Sequence, residues 1–318
     1  MKIFIALLLT LSLYAEDFAL LYQSKGINAV IDALDIELTK KEYWDTKLSN
    51  IDTRYGYFEG KDAFLTCNKN NSSLQYFKRD KAGEFQLEND FHALVGKING
   101  DKEKEGDKKT PIGIYKLTKK LNKLDPFYGP LAYVTSYPNL YDKIRGKNGS
   151  GIWIHGVPSD KKREKSTKGC IALDNSDIRC LEEKLDFKNS WLIIDKDVNI
   201  SVSKETLTSI LSQLFSWRYA WLKNKIDDYL LFYDKNFIRY NGMKYSQFTQ
   251  YKKRVFNKNE KKKIFFSNIN IISYPGRNKN LFMISFYEKY HTSSYNFQGE
   301  KSLIISFKKN KIKIITER

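Results

Sequence analysis

Cys170 and His155 are the residues in this sequence best suited to do chemistry. The chain holds only three cysteines and three histidines, and these two share one stretch, Gly151 to Leu173. His155 closes an apolar run, Ile152-Trp153-Ile154, and leads into Gly156. Cys170 follows Thr167-Lys168-Gly169 and leads into Ile171. A strand delivering an imidazole, a charged loop and a glycine-preceded thiol form a plan for a thiol nucleophile beside its base. The competing reading is a buried cysteine near an unrelated surface histidine, and only the rest of the chain decides between them. His92 and His291 have no cysteine or carboxylate cluster at ligand spacing, so no metal site is expected. No phosphate-binding glycine loop occurs, and no cofactor is implied.

The chain that must position these groups has 318 residues, enough for two or three domains. Its 41% hydrophobic and 14% aromatic content is that of a folded protein. The formal charge of +18 is unevenly placed: residues 215–318 carry 22 Lys and Arg against 7 Asp and Glu. That asymmetry points to a separate C-terminal module with an anionic partner. The first fifteen residues, MKIFIALLLTLSLYA, run lysine, apolar stretch, small residue, as a secretory signal peptide does, and are too short for a membrane span. A buried N-terminal strand is the other reading, and Leu13 is not the ideal small residue before a cleavage site. No other stretch reaches the length of a membrane helix. Export permits a Cys67–Cys180 disulfide that leaves Cys170 free; two buried, unpaired cysteines are the preferred alternative.

Residues 16–61 form a helical segment, with Leu20, Leu21, Ile27, Val30, Ile31, Leu34 and Leu38 near a three-to-four spacing and Gly26 as a break. Such an arm has no core of its own, so it packs on the next domain or on a second chain, and a homodimer contact is one reading. From Lys61 short strand-like runs take over at Ala63–Cys67, Leu74–Phe77 and Phe85–Leu87, followed by a longer run, Phe91 to Ile98. Pro111 and Gly113 mark a turn and a close backbone approach rather than a central strand. Tyr133–Thr135 and Ile152–His155 continue the strand pattern. A helix follows at Asn175–Leu185, with Asp174 as N-cap, and then a strand at Ser190–Ile194. A long amphipathic helical region begins at Lys204, and four alternating runs follow Lys263, at 264–272, 281–290, 301–307 and 311–315. Helices first and strands afterward give an α+β module.

Three ordered elements carry a resemblance. His155-Gly156 is followed by Thr167-Lys168-Gly169-Cys170-Ile171-Ala172, and Thr110-Pro111-Ile112-Gly113-Ile114-Tyr115 lies upstream. The set resembles the YkuD-type L,D-transpeptidase catalytic domain, with its TPxGxY element and its HG followed about fifteen residues later by S-x-G-C-[IV]-R. The approach from Tyr137-Pro138-Asn139 to Gly149-Ser150-Gly151 resembles that of some Gram-negative branches. Downstream, Trp217-Arg218-Tyr219-Ala220-Trp221, Asp227-Asp228-Tyr229-Leu230 and Phe232 to Phe237 resemble a nuclear-transport-factor-like (SnoaL-like) domain. The combination is similar to the cell-shape-determining L,D-carboxypeptidases of helical Gram-negative bacteria.

The resemblance implies an α+β chain: signal peptide 1–15, helical segment 16–61, a mainly-β catalytic domain 62–200 and a C-terminal α+β cone 204–318. It implies Cys170 as nucleophile, His155 as base, and the Gly156 carbonyl orienting the imidazole. A nearby imidazolium lowers a thiol's pKa, favouring a thiolate–imidazolium pair. The amides of Gly169 and Cys170 are the implied oxyanion donors. Thr167 keeps the hydroxyl of the usual serine. Ala172 replaces the usual arginine, a charged planar fork that a methyl group cannot mimic, which favours a specialised hydrolase over a cross-linking enzyme. Lys168, Lys143, Arg145 and Lys147 are candidates to meet substrate carboxylates, against a reading as ordinary solvated charge, and Trp153 either lines the groove or belongs to the core. The implied partner is the peptidoglycan tetrapeptide stem, in the periplasm of a Gram-negative cell, with no stable membrane insertion. Nucleic acid is disfavoured by export and the lack of a recognised motif. The basic C-terminal module is left to hold a glycan or peptide, or to support the catalytic domain. An L,D-transpeptidase and a non-catalytic wall-binding scaffold are the alternatives, discriminated by Ala172 and by the intact Cys170/His155 pair respectively.

Overall fold

The computed structural model describes residues 17–158, 165–276 and 280–318; the leader expected at residues 1–15 lies outside them. The N-terminal segment is a chain of short helices: α1 (residues 17–25), α2 (Ile27–Glu37) and α3 (Lys41–Lys47). Gly26 separates the first two at φ 76°, a left-handed conformation that glycine adopts without a Cβ penalty. The helices dock on the C-terminal module, while the stretch after them, Asp52 to Phe58, packs on the catalytic domain. Trp44 and Leu48 join the C-terminal core, with the Trp44 ring stacked on Phe215 at 5.2 Å. Both terminal nitrogens of Arg218 donate to Asp35 Oδ1 at 2.9 Å, and Arg218 Nε donates to the Ile264 carbonyl. Two large aromatic rings and a buried ion pair hold the arm there.

The central domain is an eight-stranded mixed sheet in the order β4-β3-β2-β9-β5-β6-β7-β8. Its strands are β2 (Ala63–Asn68), β3 (Ser73–Arg79), β4 (Phe85–His92), β5 (Gly113–Leu121), β6 (Ala132–Thr135), β7 (Trp153–His155), β8 (Ile171–Ala172) and β9 (Trp191–Asp195). β2 runs parallel to β9, and β7 parallel to β8; the other pairs are antiparallel. Two expectations are corrected. The run Phe91 to Ile98 is divided: β4 ends at His92, and Leu94 and Gly96 make isolated bridges to Ala172 and Thr167. Gly113 opens a strand in the middle of the sheet, because the close approach there is made by side chains. A Cβ at Gly113 would lie 2.5 Å from the Tyr115 hydroxyl and 3.0 Å from that of Tyr274. Helix α4 (Leu140–Ile144) is closed at its start by a capping box between Asn139 and Asp142. Helix α5 (Asn175–Lys184) has Asp174 at its N-cap position.

The C-terminal module packs α6 (Lys204–Leu222), α7 (Ile226–Leu230) and α8 (Tyr245–Asn257) against a second sheet. That sheet has the order β1-β10-β11-β12-β13, from β10 (Lys263–Ser273), β11 (Leu281–His291), β12 (Asn296–Lys308) and β13 (Lys311–Glu317). Its edge is β1 (Tyr57–Phe58), contributed by the N-terminal segment. The two modules share a core. Phe58, Phe64, Phe77, Phe85, Ile114, Trp191 and Ile193 meet Ile272, Tyr274, Met283 and Ile304 in one buried cluster. Burying such side chains contributes on the order of 2 kcal/mol each, so the modules form a continuous hydrophobic body. The cysteines are unpaired, Cys67 fully buried and Cys180 partly so; no Cys67–Cys180 disulfide forms.

Candidate active site

Strand register brings the histidine and the cysteine together. β7 lies between β6 and β8, pairing His155 with Ala132 on one side and with Ala172 on the other. Leu173 N donates to the His155 carbonyl at 2.9 Å, so the chain leaving Cys170 is fastened beside the imidazole. His155 is 5% exposed. Its Nδ1 lies 2.6 Å from the Gly156 carbonyl oxygen, which can only accept. Nδ1 therefore carries the proton and Nε2 is free to act as a base. The Gly156 backbone is in turn crossed closely by Gly129: a Cβ on Gly129 would lie 2.8 Å from Gly156 Cα, and Gly129 itself sits at φ 69°. Asn175 Oδ1, at the start of α5, accepts the Val157 N–H at 2.9 Å and holds the segment leaving the histidine.

The nucleophile loop is braced from below. Thr167 Oγ1 donates to the Cys170 carbonyl at 2.7 Å and accepts the Gly169 N–H at 3.0 Å. The Gly169 amide is thus already engaged, which removes it from the pair of oxyanion donors; the Cys170 N–H has no partner among the described residues. Gly169 adopts φ 132° against the Lys109 carbonyl, which a Cβ would approach to 2.9 Å. The strap carrying Lys109 has its own staples. Asp107 accepts from Lys102 at 2.8 Å and from the backbone N–H groups of Glu103, Lys104 and Lys109. The buried Lys69 ammonium donates to the carbonyls of Thr110 and Gly100. Burial lowers the Lys69 pKa to about 8.

Burial disfavours the charged form of both groups. Burial pushes the Cys170 thiol up, against smaller opposing effects of the Trp153 backbone and Lys102. Burial pushes the imidazole of His155 down, partly offset by its bond to Gly156. Burial therefore works against the thiolate–imidazolium pair that the resemblance implies. Cys170 Sγ donates to the Gly151 carbonyl at 3.3 Å.

His155, Gly156, Thr167, Lys168, Cys170 and Ala172 line one cavity of about 190 Å³, walled further by Leu94, Phe127, Tyr128 and Val157. Sequence reasoning missed these last four; Asp125-Pro126-Phe127-Tyr128-Gly129 carried only a turn signal. Trp153 stands outside the cavity, against Tyr128 at 4.9 Å. Arg145 is not among the lining residues. Its guanidinium pairs with Asp142, a carboxylate with no exposure, and Lys147 pairs with Asp142 and Asp101. A buried carboxylate demands counter-charge, and these cations supply it. Lys143 lies in a cleft between the two modules. A larger cavity, about 920 Å³, is in the C-terminal module and includes Trp221, Arg239, Lys252, Glu288 and Lys301. No group of metal-ligating side chains occurs among the described residues.

The family model of the YkuD L,D-transpeptidase catalytic domain matches residues 62–194, and that of the Cds6 C-terminal NTF2-like domain matches 209–318. The solved structure of Pgp2, the helical cell shape determining protein of Campylobacter jejuni, is 37% identical to this chain. The match has a TM-score of 0.81 and covers 88% of this chain and 99% of Pgp2. The chain belongs to the YkuD L,D-transpeptidase family. Bd1075 of Bdellovibrio bacteriovorus is also similar, at 27% identity and a TM-score of 0.65, over 84% of this chain and 95% of Bd1075. No curated protein matches the chain. The YkuD domain is the one that holds Cys170 and His155, and the NTF2-like domain contains the large second cavity.

Proposed function

We propose that this YkuD-family chain is a peptidoglycan L,D-carboxypeptidase that removes the terminal D-Ala from murein tetrapeptides to leave tripeptides. The observation that carries the reading is the cavity shared by Cys170 and His155, with the methyl of Ala172 in its lining in place of a fixed cation. His155 Nε2 takes the thiol proton as sulfur attacks the carbonyl at the L-centre of meso-diaminopimelate. The Cys170 N–H faces the developing oxyanion, a contact worth about 3 kcal/mol of barrier. The imidazolium returns its proton to the departing D-Ala amine, leaving a thioester on Cys170. Water, deprotonated by His155, then attacks the thioester; the tripeptide leaves and the thiol is restored.

An amine in place of water would turn the same thioester into a cross-link, and Ala172 is what favours water. The role of Pgp2 as a helical cell shape determining protein supports a part for this trimming in shaping the wall. The lysine-apolar-small order of residues 1–15 supports the periplasm as its compartment; no described helix is long and apolar enough to cross a membrane. Incubation with purified disaccharide-tetrapeptide and mass analysis of products tests the reading. Tripeptide and free D-Ala are expected; cross-linked dimers would establish the transpeptidase instead, and no product from any muropeptide would favour a binding scaffold.

A further inference from the structure

We propose that Tyr128 is a positioning residue for His155, holding the imidazole in the tautomer and orientation that leave Nε2 free toward the thiol; this rests on the reading of His155 as the base. Among the described residues the imidazole has one polar anchor, the Gly156 carbonyl at 2.6 Å. A single hydrogen bond at Nδ1 fixes one edge of the ring and leaves rotation about that edge to be stopped by something else. Tyr128 stops it. Its ring meets the imidazole edge-on, with centroids 5.1 Å apart and planes at 88°. Aromatic edges and faces attract in this arrangement.

Tyr128 is itself fixed on three sides. It ends a single 3₁₀ turn, Pro126–Tyr128, whose first free N–H, that of Phe127, is accepted by the Asp125 side chain at 2.9 Å. Gly129 closes the turn and packs against Gly156, so the turn is registered on the same backbone that anchors the imidazole. Trp153 backs the Tyr128 ring at 4.9 Å. The rings thus form a row, Trp153, Tyr128, His155, that also covers the imidazole from solvent. Among the described residues the titratable groups lining this cavity, besides His155, are the Cys170 thiol, the Tyr128 phenol and the exposed Lys168 ammonium; Lys102 also acts on the thiol, and α5 presents the neutral amide of Asn175. Burial rather than a neighbouring charge holds the imidazole below its ordinary 6.5, and Tyr128 supplies part of that burial.

The full chain labelled with ¹⁵N-histidine tests this by long-range ¹H–¹⁵N correlation across pH. In the wild type and in Tyr128→Phe, which keeps the ring contact, His155 is expected to titrate below 6.5 as the Nδ1–H tautomer. In Tyr128→Ala its midpoint should rise toward 6.5 and its tautomers should mix. The acid limb of tripeptide production should move up with it, and kcat should fall about tenfold with little change in KM. A Tyr128→Ala protein whose His155 keeps the wild-type midpoint and tautomer would overturn the proposal. Absence of trimming by the wild type would overturn the catalytic reading alone, since the titration still decides how the imidazole is held.

Discussion

Thr167 bears on the reaction without touching a reacting atom. Its hydroxyl joins the Gly169 N–H to the Cys170 carbonyl, fixing the turn on which the thiol sits. Thr167→Val keeps the shape and loses both bonds, at a cost of about 1 kcal/mol each. We expect thioester formation to slow by tenfold or more in that variant and to stay near wild type in Thr167→Ser, read by the rate of D-Ala release. The hydroxyl at this position was legible in the sequence as the usual serine's counterpart. The use of the Gly169 amide was not, because a glycine before a nucleophile looks the same whether its N–H is free or taken. Arg145 and Lys147 were likewise ambiguous. Nothing in a run of basic residues says that a carboxylate with no exposure, Asp142, lies beneath it.

Between residues and molecule lies the strap 97–112, which supports Gly169 through the Lys109 carbonyl. Asp107 is its main fastening. Burial alone would raise the carboxyl's pKa, but the Lys102 hydrogen bond and three backbone N–H groups outweigh burial and hold it far below its ordinary 3.8. A depressed carboxyl stabilises the fold above its unfolded pKa and loses that contribution as pH falls below it. Protection factors of the strap amides, which allow for the intrinsic slowing of exchange toward acid, should therefore fall as pH drops from 5 to about 3. Asp107→Asn should be weakly protected at both pH values, and identical protection in the two proteins would refute the role. At this scale β6 and β7 were readable as strand-like runs, whereas Pro111 and Gly113 disguised β5 and the two residues of β8 are too few to show a pattern. Helix α8 was not readable, because the buried face that reads Phe248, Lys252, Phe256 has a lysine at its centre. That lysine is covered by Trp221, Tyr229 and Phe248, and burial lowers its pKa to about 8. A hydrophobic pattern has no symbol for a cation that packs on rings.

For the molecule as a whole, the N-terminal arm and the C-terminal module behave as one body through Arg218 and Asp35. Arg218→Leu leaves a buried carboxylate unpaired and should cost about 3–5 kcal/mol, while the double Arg218→Leu/Asp35→Leu protein should recover most of it. Urea unfolding measures both; equal losses in single and double variants would contradict a specific pair. The same arm exposes Leu20, Ile27, Ile31 and Leu34 at 57%, 56%, 50% and 45%. We propose a homodimer through this stripe, for which sedimentation of the full chain should show a dimer and Ile27→Asp/Ile31→Asp a monomer. A monomer in both would sink the idea. The sequence had shown the stripe's periodicity but not its exposure, which depends on Trp44 and Leu48, not the stripe, being the residues that dock. The most direct test of the account is wild type beside Cys170→Ala on disaccharide-tetrapeptide, with both proteins confirmed folded by equal Tm. The account predicts one free D-Ala per tripeptide formed by the wild type and none by Cys170→Ala. Continued trimming by Cys170→Ala would contradict it.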